Sequence, residues 1–160
     1  MMMITHRTRC GAALAIGIGA LIFTGATSGV QAAPAAKPVT ATVNSALQWG
    51  PCPPIFPAGC QIAVLNGDPA KPNADVFLRV PGGYTIPPHS HTSPERIVLV
   101  EGQLSLRYQG SSAEDVTPGE YAYGPGGLPH VATCKGAGPC TLFIAFEGPV
   151  DAIAFTGALK

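Results

Sequence analysis

Charge is scarce in this chain. Asp, Glu, Lys and Arg make up 11% of its 160 residues, and the formal net charge is zero. No basic cluster occurs, so the electrostatic footprint of nucleic-acid binding is missing and no nucleic-acid partner is expected. Sustained helical periodicity is absent outside the N-terminus, which argues against a helical architecture. There is no internal repeat and no nucleotide-binding glycine loop. Histidine is rare as well, with four in the whole chain.

Glycine and proline are plentiful: 20 and 17 residues respectively, in a chain that is 46% hydrophobic. Too much apolar surface is present for disorder, so this composition predicts many short strands joined by tight turns. The length suits one domain with a tail.

The N-terminus has the three-part layout of a secretory signal peptide. His6, Arg7 and Arg9 form a basic start, Ala12 to Phe23 an apolar run, and Val30-Gln31-Ala32 a small-x-small cleavage site. The run is short for a membrane span and holds several glycines, so residues 1–32 are expected to be removed rather than to anchor the chain. Cys10 precedes the apolar core, which argues against a lipoprotein anchor. Cleavage would leave 128 residues with 7 basic and 9 acidic side chains, a mildly acidic domain in the periplasm or outside the cell, with no membrane association. Residues 33–45, starting with the small-residue, Pro-containing stretch 33–39, are expected to form a flexible linker, 46–156 the folded domain and 157–160 a short tail.

Cys52, Cys60, Cys134 and Cys140 would remain in that exported chain, in two local pairs. An oxidising compartment favours disulfides closing two short loops, although four cysteines allow three pairings. A four-thiolate zinc site would show closer spacing within each pair.

Taken in order, residues 45–61 set Leu47, Trp49, Ile55 and Phe56 among Pro51, Pro53, Pro54 and Pro57. Prolines this dense forbid a central strand, so an apolar arm packed over the domain is expected, with Trp49 as a packing anchor. Strands are predicted at 62–65, 75–80, through the histidine-bearing stretch after Gly83, and at 96–100, 103–108, 120–123, 128–134, 141–146 and 152–155. Phe77 and Arg79 should face one way, and Val76, Leu78 and Val80 the other. Arg96 to Val100 reads as a strand with both faces apolar, and 135–139 as a glycine-rich hairpin loop. Eight or nine short strands with frequent turns make an all-β sandwich or barrel.

The histidines are concentrated. After signal removal only His89, His91 and His130 remain. His89 and His91 share a face if the strand is regular, and Glu95 joins them by parity if the strand continues. His130 follows a Gly/Pro turn some forty residues on, at a distance where an adjacent strand can return. Three imidazoles and a carboxylate suit a divalent first-row transition metal such as Fe, Mn, Zn, Ni or Cu.

At these residues the sequence resembles the cupin superfamily. The first cupin motif is glycine, five residues, His-x-His, three or four residues, Glu, six residues and glycine. Gly83, His89, His91, Glu95 and Gly102 match it throughout. The second is glycine, five residues, Pro-x-Gly, two residues, His, three residues and Asn. Gly119, Pro125, Gly127 and His130 match, and Cys134 replaces the Asn. The segments Trp49-Gly50-Pro51 and Leu65 to Pro69 also look like those of small exported bacterial cupins, some of which resemble the cupin domain of a zinc-binding anti-sigma factor.

The resemblance implies a double-stranded β-helix, or jelly roll, with His89, His91, Glu95 and His130 as metal ligands, and a homodimer. The departure at Cys134 implies that the strand after His130 is stapled to Cys140. Function is less constrained, because cupins range from dioxygenases to storage and sensor proteins. The implied activity is a metal-dependent oxygenase acting on a small organic molecule. The alternative is a non-catalytic metal- or ligand-binding module. Tyr121, Tyr123 and Arg79 are candidate pocket residues, each with packing or surface exposure as the competing role.

Overall fold

The structure is a computed structural model and describes residues 47–160. The expected signal peptide and linker, residues 1–45, lie outside the described residues. Within these, the chain folds entirely as β-structure in eleven strands. They are β1 (Trp49–Pro51), β2 (Gln61–Asn66), β3 (Asp75–Val80), β4 (Thr85–Ser90), β5 (Glu95–Glu101), β6 (Leu104–Tyr108), β7 (Glu114–Val116), β8 (Tyr121–Gly124), β9 (His130–Cys134), β10 (Cys140–Phe146) and β11 (Ile153–Ala154). Two antiparallel sheets result, with orders β1-β2-β3-β10-β5-β8 and β11-β4-β9-β6-β7. This is a jelly-roll barrel.

Period-two alternation builds its interior. Val76, Leu78 and Val80 of β3 and Leu142, Ile144 and Phe146 of β10 are buried on the inner face of the larger sheet. Ile86, Leu104, Leu106 and Ala132 of the smaller sheet join them in one core cluster. Each large aliphatic side chain buried this way contributes about 1.5–3 kcal/mol. The outer face of the larger sheet holds the opposite parity. Phe77 and Phe143 meet edge to face at 6.3 Å, and the Arg79 guanidinium lies 4.0 Å over the Trp49 ring while donating to Gln61.

Four expectations need correction. β1 and β7 raise the strand count above eight or nine. Residues 49–51 form an edge strand on β2, where the pyrrolidine nitrogen of Pro51 at its end costs least; only 52–60 form the arm. The 135–139 loop is not a hairpin, because β9 and β10 belong to different sheets and the loop crosses the barrel end. β5 is buried on one face only: Ile97 and Leu99 are buried, whereas Arg96 and Val100 on the other face are exposed and Val98 is half-buried.

Both disulfides are local. Cys52 joins Cys60, with α-carbons 5.5 Å apart, and Cys134 joins Cys140 at 5.7 Å. The second bond ties the smaller sheet to the larger. Beside it Gly102 adopts φ +93°, and a Cβ there would lie 2.5 Å from the Pro139 carbonyl and 2.8 Å from Cys140 Sγ. Gly83 also has positive φ, +73°, but open space around it. Gly83→Ala should therefore cost only backbone strain, about 1–2 kcal/mol. Gly102→Ala adds a backbone clash and should cost clearly more. Denaturant midpoints of the two variants measure the difference, and equal costs would refute the proposed crowding at Gly102.

Candidate metal centre

The site begins with a fault in strand pairing. β4 pairs with β9 through Thr85↔Thr133 and Ile86↔Ala132, and then slips by one residue to His89↔His130. Pro87 and Pro88 lie in the slip; having no N–H, they cannot donate to the ladder. In an unbroken register Pro88 would stand opposite His130. The bulge reverses the parity set by Ile86 and turns His89 inward beside His130.

β4 ends at Ser90, so His91 lies just past the strand. The chain then turns through Thr92–Pro94, and Glu95 opens β5. The expectation that Glu95 extends the histidine strand is thus corrected. Glu95 belongs to the larger sheet, paired with Phe146 and Gly124, and faces the histidines from across the barrel. The bend at 92–93 is the physical reason, since it ends the strand's face alternation before Glu95.

All four side chains are buried: His89, His91 and His130 are 4–6% exposed and Glu95 2%. Ring centroids lie 4.3 Å apart for His89–His130, 4.8 Å for His89–His91 and 5.3 Å for His91–His130. One nitrogen from each histidine falls within 4.8 Å of the others. Each Nδ1 faces a backbone carbonyl: His89 that of Pro87 at 2.8 Å, His91 that of Asp151 at 2.5 Å, and His130 that of Leu128 at a longer 3.4 Å. These carbonyls can only accept, so Nδ1 carries the proton and Nε2 keeps an inward lone pair. Glu95 Oε2 lies 3.3 Å from His91 Nε2 and Oε1 lies 3.2 Å from His130 Nε2. The latter approach lacks hydrogen-bond geometry, and Oε1 has no donor.

Three imidazole nitrogens and a carboxylate therefore converge in a buried space, where Glu95 Oε1 has no donor among the described residues and only a protonated His91 could donate to Oε2. Leaving such groups unpaired costs about 1–3 kcal/mol each. A cation would satisfy all four together, so the donor set fits a divalent metal.

Protonation agrees. Burial, reinforced by the charge His130 would carry, pushes the His89 pKa down to about 4. Burial also lowers that of His130 despite Glu95. For His91 burial acts downward, but Glu95 and Asp151 outweigh it and the pKa rises. For Glu95 burial acts upward, but the three histidines outweigh it and hold the carboxyl low. At neutral pH the carboxylate is ionised, and His89 and His130 are neutral.

The cavity beyond these groups is apolar, walled by Leu78, Ile86, Leu106, Ile144 and Phe146, and its mouth is lined by Pro53, Phe56 and Val150–Ala152. About 40 Å³ is open to the centres of water molecules, room for a few waters or a small ligand. Tyr121 and Tyr123 do not contribute, being 58% and 48% exposed, and Arg79 lies outside the barrel on Trp49.

Sequence reasoning missed Tyr108. It stands opposite His130 in the β6–β9 register, with ring centroids 5.2 Å apart, and its buried hydroxyl has no partner. A Cβ on Gly124 would sit 2.8 Å from Glu95 Oε1 and 3.0 Å from Tyr108 Oη, so the two unpartnered oxygens flank the bare α-carbon of Gly124. Burial, then the charges of Glu95 and Tyr121, raises the Tyr108 pKa and keeps the phenol protonated. Its shared parity with Leu104 and Leu106 was the available signal.

The Cupin domain family profile matches residues 76–146, a span holding the four converging side chains and all but the outermost strands. The chain belongs to the cupin superfamily. No curated protein matches this cupin. Among solved structures it is similar to the DMSP lyase DddQ of Ruegeria pomeroyi, at 20% identity over 70% of this chain and 64% of that one, with a TM-score of 0.59. An RmlC-like cupin from Shewanella frigidimarina aligns at 16% identity over 64% and 86%, TM-score 0.53. The Bacillus subtilis oxalate decarboxylase, a protein with Mn(II) centres, aligns at 20% over 61% and 29%, also at 0.53. The chain thus spans less than two thirds of the lyase's length. At these identities the likeness is one of fold.

One consequence is measurable in chelator-stripped protein. His89 binds its proton near pH 6.5 when unfolded but only near 4 when folded. Between those values the unfolded chain holds more protons, so stability falls as pH falls. His130 and Glu95, also lowered, act in the same direction, while His91 opposes them. Urea midpoints should drop from pH 6.5 to 4, and His89→Gln should remove part of the drop. A flat profile in the parent protein would contradict the assigned environment of His89.

Proposed function

We propose that this chain is an exported metal-binding cupin in which His89, His91, Glu95 and His130 hold a divalent transition metal, and that it acts as a metal-dependent oxygenase on a small, weakly polar organic molecule. The observation that carries this reading is the convergence of three buried imidazoles and a carboxylate, one of whose oxygens has no donor among the described residues, at one end of an apolar cavity. When bound, a redox-active metal would supply Lewis acidity and electron transfer to oxygen. The chain's own residues do the rest. The carbonyls of Pro87, Asp151 and Leu128 hold the three Nδ1 protons and fix which nitrogen faces inward. The aliphatic walls surround the site with low polarity, which strengthens electrostatic interactions inside. Tyr108 offers a protonated hydroxyl beside Glu95.

The lining sets the substrate class. Among the described residues no Lys or Arg lines the cavity, and the Asp151 carboxylate at the mouth, held by the Thr92 amide, disfavours anions. A carboxylate substrate would find no counter-charge there except the metal. A neutral small molecule, such as a phenol, fits better. Fe, Mn, Ni, Cu and Zn all suit the donor set; Mn(II) in the similarly folded decarboxylase supports including Mn in the first trials. The two disulfides support a periplasmic or secreted location for the domain proposed at 46–156.

The second reading, a non-catalytic binding or sensor module, is favoured by one feature: beyond the four proposed ligand side chains, Asp151 is the sole titratable residue among the described residues that lines the cavity. Elemental analysis comes first. Wild type should carry about one metal ion per chain and the His89→Ala/His130→Ala variant almost none; equal contents would refute the site. Oxygen uptake by Fe- or Mn-loaded protein with simple phenols then separates the readings. Uptake supports the oxygenase, whereas binding of the phenol without uptake supports the module.

A further inference from the structure

The loop Cys52–Cys60 lies at the mouth of the cavity and is tied down at several points. The disulfide closes its base, and the Cys52 amide donates to the Cys60 carbonyl at 3.4 Å. Inside, the Phe56 amide donates to the Pro53 carbonyl at 3.0 Å. Near the tip, the Tyr84 hydroxyl donates to the Pro57 carbonyl at 2.6 Å. Pro53, Pro54 and Pro57 restrict the backbone further, so ordering this loop costs little entropy. Its tip, Pro57 to Gly59, is exposed.

All this restraint presents one ring to the site. Phe56 meets His89 edge to face, with centroids 5.1 Å apart and planes at 85°. Phe56 and Pro53 are the loop's contribution to the cavity wall. A phenyl ring required only for packing would serve best wholly within the aliphatic core; Phe56 packs only its inner side on the core and is half-buried, its ring set against the polar His89 imidazole. Across the mouth, the Asp151 carbonyl accepts from His91 Nδ1. Each lip of the opening therefore rests on one histidine of the centre.

We propose that Phe56 is the specificity-determining residue of this cupin: its ring, clamped by the Cys52–Cys60 loop, caps the cavity over His89 and limits the size of the neutral molecule that reaches the metal. The inference rests on the metal-centre reading above. The ring adds no charge and no hydrogen bond, so it selects by bulk. Because the covalent clamp sets the ring's position, opening the Cys52–Cys60 bond should enlarge the passage as removing the ring does.

The test uses cobalt-loaded protein and two neutral probes of different size, imidazole and 4-phenylimidazole, followed by the visible bands of the bound ion. Wild type should bind imidazole at least about tenfold more tightly than 4-phenylimidazole, within the reach of a steric pocket. Phe56→Ala and, separately, Cys52→Ser/Cys60→Ser should keep wild-type cobalt stoichiometry and reduce that ratio to about threefold or less. If Phe56→Ala does not fold, Phe56→Leu replaces it and should admit the larger probe more readily than wild type does. A size ratio unchanged in the variants, at full cobalt occupancy, overturns the capping role and leaves the metal centre intact. Failure of wild type to take up cobalt overturns both.

Discussion

The centre depends on a one-residue slip between β4 and β9. Ile86 and Ala132 face the core as an ordinary antiparallel pair. Continued without interruption, that register would set Pro88 against His130 and send His89 to the outside. Two consecutive prolines make the slip inexpensive, because neither could have donated a ladder hydrogen bond. Once His89 stands opposite His130, Tyr108 falls into the same row from β6. A single irregularity thus aligns three polar side chains across three strands of a sheet that is otherwise apolar on its inner face.

The surroundings of the centre are built from backbone more than from side chains. Three carbonyls engage the three Nδ1 atoms, and two of them, Pro87 and Leu128, lie two residues before the histidine they serve. Orientation is therefore largely local, set by the turn that delivers each of these histidines. Asp151 is the exception, reaching His91 from the segment between β10 and β11. That segment also forms a lip of the mouth, so the last part of the chain both shapes access and fixes one tautomer.

Much of this was legible in the sequence, and the misses have physical causes. The alternation in 75–80 and 104–108 gave the inner face of β3 and β6, and the spacing of His89, His91, Glu95 and His130 anticipated residues that do come together. Parity failed at Glu95 because the turn after His91 moves the chain to the opposite sheet, which single-strand alternation cannot register. Tyr108 was passed over because its role comes from its register partner, a long-range fact. Phe56 was read as part of an apolar arm, which is correct as far as local sequence reaches; that the arm rests on His89 is again tertiary. Tyr121 and Tyr123 take the surface role that competed with a place in the pocket, being exposed and outside the cavity lining.

The two sheets are cross-linked differently at the two ends of the barrel. At one end the Cys134–Cys140 bond joins β9 to β10, with Gly102 packed against it and the Gly83 amide on the Cys134 carbonyl. At the other, Glu95 of the larger sheet meets His130 of the smaller and His91 just past β4. β9 spans both, with His130 first and Cys134 last, a separation of roughly 13 Å along an extended strand. A covalent link cannot open to admit a ligand, so it sits where the barrel is closed. Coordination by these four side chains, as proposed, would be strong yet exchangeable, which would suit an end that stays accessible. If those residues hold a metal, ion binding and barrel closure are the same event at that end, and the opposite end stays joined whether or not the ion is present. The geometry of the cavity mouth would then depend on the ion it surrounds, while the core beneath it would not.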